Sequence, residues 1–439
     1  MMENKKMTNN ISLGKRALLF AAVLAGAASV PAFSQTPTAK QYTLTECLDE
    51  AVKNNLQLRT ADREILISQE QRKQAFTGYF PTLSATGGGF ISNQGLMQMD
   101  LGAVSMSLVK NGIAAGVTAM QPLFAGGQIV NGNRLARVGE ESARLQRSLT
   151  ENEVRLNTET YFWQIVMLKE KLVTLDQMDR QLATVLHDAQ AAVDAGVRNR
   201  NDLLQVQLRK NEVSTSRIQV KNNLAVCRDL LAQVMGHTGE TVEVQASVSS
   251  PEEPQQYFQP AETSLPQTTE YQLLDKQIEA GQLQYKMAVG KNLPTVAVGC
   301  GYLYNNVMDK SQNNLVGMVT VSVPLSGWWG GSHDMKRQRL QVENAVTDKQ
   351  RQSELLVIRM RKAWNDFSDA YRQLDIARES IAQSEENLRL NTDYYEAGTS
   401  SVSDVLDAQS LYQQSRDKYV ECFTDYEVKK REYLQATGR

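Results

Sequence analysis

Proline, cysteine and histidine are all scarce in this sequence, and each scarcity excludes something. Ten prolines are spread over 439 residues, and none falls within 123–250 or 325–439. Proline inside a helix costs about 3 kcal/mol, so both blocks are free to form very long helices. The four cysteines are widely spaced and form no C-x2-C pair, which argues against a disulfide-dense scaffold and a cysteine-built metal site. The three histidines, His187, His237 and His333, are far apart and give a histidine metal centre no support. Beyond the N-terminus no run reaches the ~18 consecutive apolar residues of a membrane-spanning helix, so a polytopic helical membrane protein is excluded. A formal net charge of −2 offers no argument for nucleic acid as a partner.

What is present begins with an export pattern. Lys5, Lys6, Lys15 and Arg16 form a basic start, Ala17 to Ala28 an apolar run, and Ala32-Phe33-Ser34 supplies small residues for cleavage after Ser34. Residues 1–34 are therefore expected to be a removed signal peptide; the alternative, a single anchor, would need a longer run. Export makes disulfides between Cys47, Cys227, Cys300 and Cys422 chemically accessible, but small buried free thiols are the expected state, since cysteine often behaves as a core residue.

Glycine complements proline. Seventeen of the 27 glycines lie within 78–127 and 290–331, so helix-permissive blocks alternate with Gly-rich ones. The helical blocks carry an apolar seam: Leu168, Leu172, Leu175, Leu182 and Leu186 in the first, and Leu374, Ala377, Ile381, Ser384 and Leu388 in the second. That ~3.5-residue period suits coiled-coil packing. A helix from about Gln128 to Ala195 would span on the order of 100 Å, and so narrow a seam requires partner helices. The Gly-rich blocks read as strands: 82–86 with 113–120, and 295–304 with 317–323. Val319, Val321 and Val323 alternate with Thr320 and Ser322. Such alternation suits a membrane β-barrel and equally a soluble antiparallel hairpin. Four strands cannot close a barrel, because about eight are needed, so the barrel reading demands an oligomer.

The chain repeats itself. Ala195-Gly196-Val197-Arg198 through Asn201-Asp202-Leu203-Leu204 aligns with Ala397-Gly398-Thr399-Ser400 through Ser403-Asp404-Val405-Leu406, at an offset of 202 that also relates Pro122-Leu123 to Pro324-Leu325. Gly126-Gly127 matches Gly330-Gly331 only with two extra residues, Trp328 and Trp329 among them, expected in the strand-to-helix turn. Each copy then reads helix, strand, strand, very long helix, tight turn, returning helix. The expected organisation is a first repeat over 35–236, an irregular segment over 237–266 that holds four prolines, and a second repeat over 267–439. Gly196 and Gly398 suit the left-handed position that ends a helix, with Asn201 or Ser403 and the following aspartate as caps.

With these residues in view, the sequence resembles the TolC-type outer-membrane efflux proteins over essentially the whole mature chain. The resemblance rests on Tyr42-Thr43-Leu44-Thr45-Glu46 through Ala51, Tyr79-Phe80-Pro81-Thr82-Leu83, Pro122 through Gly127, and the Ala-Gly…Asp404-Val405-Leu406-Asp407-Ala408-Gln409 tip. It implies a mainly α fold with a membrane β segment. In the implied homotrimer, four strands per protomer form one 12-stranded outer-membrane β-barrel, continued by a long periplasmic α-helical barrel. It also implies an acidic ring of Asp404 and Asp407 at a closed periplasmic entrance, with Tyr395 in the network that holds it shut. Where better-known members carry a basic residue this chain has Ser400, and Arg198 of the first repeat is the candidate substitute. Asp404 is equally a candidate helix cap. The tips around Gly196, Asp202 and Gly398 would dock a periplasmic adaptor joined to an inner-membrane pump of the RND or ABC type. Trp328 and Trp329 would sit either in an aromatic girdle against outer-membrane lipid or against the first helical turn.

Catalytic chemistry has little support. Ser332-His333-Asp334 names a triad as consecutive residues, which cannot converge, and Ser332 better suits a helix cap after Gly330-Gly331. Gly87-Gly88-Gly89 lacks the continuation of a phosphate loop. The expected protein is a passive outer-membrane channel-tunnel of a Gram-negative efflux or type I secretion system, not an enzyme, with no cofactor and no metal. The alternative is a trimeric periplasmic coiled-coil scaffold without a through-channel.

Overall fold

The fold is given by a computed structural model that describes residues 41–439 except 94–96, 102–103, 109–110, 247–249, 308–309 and 326. The expected signal peptide, residues 1–34, lies outside the described residues, as does the side chain of Trp328.

The chain starts with β1 (Gln41–Tyr42), α1 (Leu44–Asn54) and α2 (Leu56–Thr77). Thr43 and Glu46 form a capping box at α1. Asn55 separates the two helices: its side chain accepts from the Gln57 and Leu58 amides while its own amide group donates to the Val234 carbonyl at 2.8 Å. Strands β2 (Thr82–Ile91), β3 (Met97–Leu101), β4 (Val104–Leu108) and β5 (Asn111–Ala125) follow. The expected proline-free helices are α3 (Gln128–Asp194, 67 residues) and α4 (Arg200–Val234). The middle segment holds β6 (Glu243–Val244), two short 3-10 turns, α5 (Ala261–Ser264) and α6 (Thr269–Lys291). The second set is β7 (Thr295–Val307), β8 (Lys310–Ser322), α7 (Gly327–Glu396, 70 residues) and α8 (Val402–Ala436). α4 and α8 are each 35 residues long.

The four long strands make one antiparallel sheet in the order β2-β5-β7-β8, while β3 and β4 pair as a separate hairpin that the sequence reading did not anticipate. Directly opposed residues share a face in an antiparallel ladder, so the register assigns sides. Leu83, Val117, Val298, Leu315, Val319 and Val321 fall on one face; Ser84, Thr86, Thr118, Asn305, Gln312 and Thr320 fall on the other. On the polar face Ser84 and Thr118 hydroxyls bond at 2.7 Å. Bulkier Leu303 and Met120 also lie there, each above a glycine: a methyl on Gly116 would fall 2.5 Å from Leu303, and one on Gly299 would meet the Met120 sulfur. Among the described residues the outer edges of β2 and β8 have no partner strand.

Each strand of this sheet joins a long helix, and α2, α3, α6 and α7 pack side by side in the same order as the strands. Ion pairs stitch the neighbours: Arg147 to Asp62 and Arg72 to Glu140 across α2 and α3, Lys276 to Glu141 across α6 and α3, Lys349 to Asp275 across α7 and α6. No described helix is long and apolar enough to cross a membrane.

The two strand-to-helix corners differ, which corrects their expected equivalence. Gly126 and Gly127 do form a left-handed turn, with φ of 59° and 76°, and Gly126 lies so close to the Gly290 carbonyl that no Cβ would fit. Pro122, which cannot donate to the ladder, sits at a register shift. In the second copy the helix already starts at Gly327, so Gly330 and Gly331 are helical. Gly327 and Gly331 instead make room for the Asn292 side chain at the end of α6. Ser332 is therefore no cap; its hydroxyl donates back to the Trp329 carbonyl at 3.1 Å.

The core lies midway along the helices. Phe162, Trp163, Phe367, Phe423, Tyr426 and Tyr433 are buried there, with Trp163 and Phe423 ring centroids 5.4 Å apart. Two tyrosine hydroxyls hold the middle segment onto it: Tyr426 donates to the Glu252 carbonyl at 2.7 Å and Tyr433 accepts from the Gln259 amide at 2.9 Å. β1 and β6 add a short parallel pair. Cys47 and Cys422 are buried, Cys227 is half-buried and Cys300 is exposed; all four are free thiols. Burial pushes the Cys47 thiol up to about 12, so it stays protonated and inert.

Candidate functional site

The site residues expected from sequence gather where α3 turns into α4 and α7 into α8. Both turns are built alike. The Gly196 amide donates to the Val193 carbonyl and the Val197 amide to Ala192; 202 positions later Gly398 donates to Tyr395 and Thr399 to Tyr394. This double bond pattern closes a helix around a left-handed residue, and Gly196 and Gly398 have φ of 72° and 74°. No atom lies within 4 Å of where a Cβ would sit on either glycine, so both tips face open space.

The caps fall two residues earlier than the sequence reading put them. Asn199 caps α4 by accepting from the Asn201 amide, and Ser401 caps α8. The cap site is fixed by where the chain leaves the left-handed glycine, and the 3-residue spacing from Ser401 to Asp404 completes a capping box. Asp404 accepts from the Ser401 amide at 2.9 Å, the Ser401 hydroxyl at 2.7 Å and the Ser400 hydroxyl at 2.9 Å. Those donors, led by Ser401, hold its carboxyl below the usual aspartate range. Ser400, where a basic residue was missed, thus contributes a hydroxyl to the same carboxylate. Asp404 is exposed, and so is Asp407, three residues further along α8.

Arg198 and Tyr395 come together. The guanidinium carbon of Arg198 lies 4.1 Å from the centre of the Tyr395 ring, and its Nη1 lies 4.0 Å from Asp202. The contact joins the first tip to the second. Tyr395 packs on a second buried cluster of Leu175, Met178 and Leu182 from α3, Leu203 and Val206 from α4, and Val402 and Leu406 from α8. The leucine seam therefore buries itself against both hairpins, as its period required. Polar bonds cross the same junction: Arg209 to Gln413 at 3.1 Å, Arg416 to Gln177 at 3.2 Å and Lys171 to Glu421 at 2.6 Å. Asp417, in the middle of these, has its carboxyl pushed up by burial and has one oxygen without a hydrogen-bond partner.

At the opposite end, Trp329 stands in the first turn of α7 and is 69% exposed. It has aromatic company: Phe76, Tyr79, Phe80 and Phe124 are all exposed at the same ends of the strands, where the sequence offers Tyr79, Phe80 and Phe124 only as parts of the resemblance. Phe76 meets Tyr79 and Phe80 edge-on at 5.5 and 5.6 Å. The available signal was their position, flanking Pro81 and Pro122 at strand termini. Among the described residues, no group of three or more His, Cys, Asp or Glu gathers to hold a metal ion.

Comparison with known proteins agrees with this architecture. The family model described as outer membrane efflux protein matches residues 47–237 and 273–439, well over half of the chain. A search of curated protein sequences returns no match. Among solved structures, the CmeC outer membrane channel of Campylobacter jejuni is similar, with a TM-score of 0.76 at 15% identity, covering 90% of this chain and 85% of that one. The outer membrane protein VceC of Vibrio cholerae gives 0.76 at 12% identity, covering 90% and 96%. The open state of the MtrE outer membrane channel of Neisseria gonorrhoeae gives 0.71 at 14% identity, covering 90% and 88%. At such identities these likenesses speak for the fold.

Proposed function

The chain belongs to the outer membrane efflux protein family, and from that premise we propose that three copies close one barrel and one helical tunnel through which substrates leave the periplasm. The protein is an outer-membrane channel with a helical periplasmic part. The observation that carries the trimer is the sheet itself. It has one face rich in Leu and Val, an opposite face where Ser, Thr and Asn stand beside Met120, Leu303, Val316 and Met318, and two unpaired edges among the described residues. Open edges in a membrane are costly. Pairing β2 of one copy with β8 of the next closes twelve strands with no edge left. From Val296 to Tyr304 on β7 the Leu- and Val-rich face runs about 27 Å along the strand, or roughly 21 Å along the membrane normal at a ~40° tilt. That is close to the ~25 Å apolar band of outer-membrane barrels. Trp329, with Trp328 beside it in sequence, then lies at the periplasmic boundary of that band.

The proposed entrance is the far end. Three copies of exposed Asp404 and Asp407 would ring it, and Arg198 on Tyr395 would hold the hairpins of each protomer together in the closed form. The unobstructed turns at Gly196, with Asp202, and at Gly398 would receive the periplasmic adaptor of a tripartite efflux or type I secretion system, with an inner-membrane pump supplying the energy.

Assembly is tested by pairing an introduced cysteine at Ser84 in β2 with a series along β8, in a chain carrying Cys300→Ser. Oxidation should give a ladder that ends at three linked chains. Monomers alone across the whole series would refute the closure.

A further inference from the structure

A groove opens between the upper ends of α2 and α3, directly below the exposed aromatic residues at the strand bases. Its volume is about 910 Å³, towards the upper end of small-molecule sites at roughly 300–1,000 Å³. Phe76, Tyr79 and Phe80 form its upper wall, and Arg72, Lys73, Arg134 and Arg137 contribute four cations against the single carboxylate of Glu140. Glu140 is already satisfied by Arg72 at 3.0 Å and Arg144 at 2.8 Å. Arg137 is paired with Glu141, and Lys73 shares only an exposed contact with Glu70. Arg134 is exposed and has no ion pair or hydrogen bond among the described residues.

One wall of the groove is tied to the apolar side of the sheet. Gln121 is on the apolar face by register, and its side chain donates to the Tyr79 carbonyl at 3.1 Å. Arg72 and Lys73 are about one helical turn, ~5 Å, below Phe76, within the depth of the headgroup layer beneath the hydrocarbon. Arg134 is on the first turns of α3, where side chains lean towards the helix N-terminus and hence towards the strands.

We propose that this groove binds the phosphate headgroup of an anionic phospholipid of the periplasmic leaflet, with Arg134 and Lys73 on the phosphate and the aromatic wall against the glycerol and upper acyl chain. The proposal rests on the reading of the sheet as a membrane barrel. A cation near an anionic headgroup is worth about fivefold in retention, so the double change Lys73→Gln with Arg134→Gln should cost roughly twenty-five-fold.

The test is native mass spectrometry of the full chain in mild detergent with added phosphatidylglycerol or phosphatidylcholine. Circular dichroism melting establishes that the variants fold. Wild type should retain phosphatidylglycerol in preference, Arg134→Lys should keep that preference, and millimolar inorganic phosphate should not displace the lipid. Equal retention of the two lipids, displacement by phosphate, or a folded double variant that retains phosphatidylglycerol like wild type would overturn the site. A protein that stays soluble without detergent and binds neither lipid would instead overturn the membrane reading beneath it.

Discussion

Replacing Arg198 with alanine isolates the contact that joins the two helical tips. The guanidinium stands 4.1 Å from the Tyr395 ring centre, with its side chain 22% exposed. A cation over an aromatic face is worth about 0.5–1 kcal/mol when exposed and about 2 when dry, so ~1 kcal/mol per protomer fits this half-shielded site. Three copies acting on one closed state give about 3 kcal/mol. At about 1.4 kcal/mol per decade, the open-to-closed ratio should rise by on the order of a hundredfold. Single-channel recording in planar bilayers reads that ratio directly. Arg198→Ala and Tyr395→Ala should each raise open probability, and the double variant should be no more open than either single one. Tyr395→Phe, which keeps the ring face, should stay near wild type. If Arg198→Ala leaves the open probability unchanged, or if the two alanine effects simply add, the contact does not hold the entrance closed.

The remaining predictions concern the same tips, the corner and the buried junction. Asp404→Asn with Asp407→Asn should raise unitary conductance and weaken block by divalent cations; unchanged conductance would remove both residues from the pore. Because hydroxyl and amide donors lower the Asp404 carboxyl, its charge and its capping bonds should persist at pH 4 and fail only as pH falls through that lowered value, which acid titration of divalent block would follow. Gly126→Ala should destabilise the assembly, by about 1–2 kcal/mol for the left-handed backbone alone and further because the methyl meets the Gly290 carbonyl. Gly330→Ala, the matching position in sequence, should stabilise its helix by up to about 1 kcal/mol; similar melting shifts for both would contradict the two different corners. Burial raises the Asp417 carboxyl, so its cost is absent below the ordinary aspartate range and grows as pH rises through the raised value. Asp417→Asn should therefore raise the melting temperature at pH 7 to 8 and leave it unchanged near pH 3.5.

The long-range plan of the fold was legible because it is written in periods and in punctuation. Missing prolines bounded the blocks that hold α3 and α7, and the expected helix from about Gln128 to Ala195 coincides with α3. The leucine seam identified the faces that pack, and valine alternation marked β8. The 202-residue offset even brought Arg198 into view as a counterpart of Ser400, although only the folded chain puts its guanidinium on Tyr395. Local geometry was less legible. The pairs Gly126-Gly127 and Gly330-Gly331 look equivalent as letters, yet one pair turns the chain while Gly331 admits the Asn292 side chain. The caps Asn199 and Ser401 were missed because several Asn, Ser and Asp residues crowd each turn, and backbone direction decides among them. The β3–β4 hairpin was passed over because its strands are five residues each, too short for alternation to register. Tyr79, Phe80 and Phe124 stand in the sequence as parts of a family motif and Phe76 as an ordinary helix residue, whereas their shared exposure at one end of the sheet is a feature of the fold.

The most direct test of the account is conductance of the purified full-length protein in a planar lipid bilayer. Discrete, stable unitary steps from trimers, open more of the time when Arg198 is replaced by alanine and larger when Asp404 and Asp407 are replaced by asparagine, are the predicted result. Intact trimers that insert and carry no current, with or without those substitutions, would contradict it and leave a helical scaffold without a through-channel.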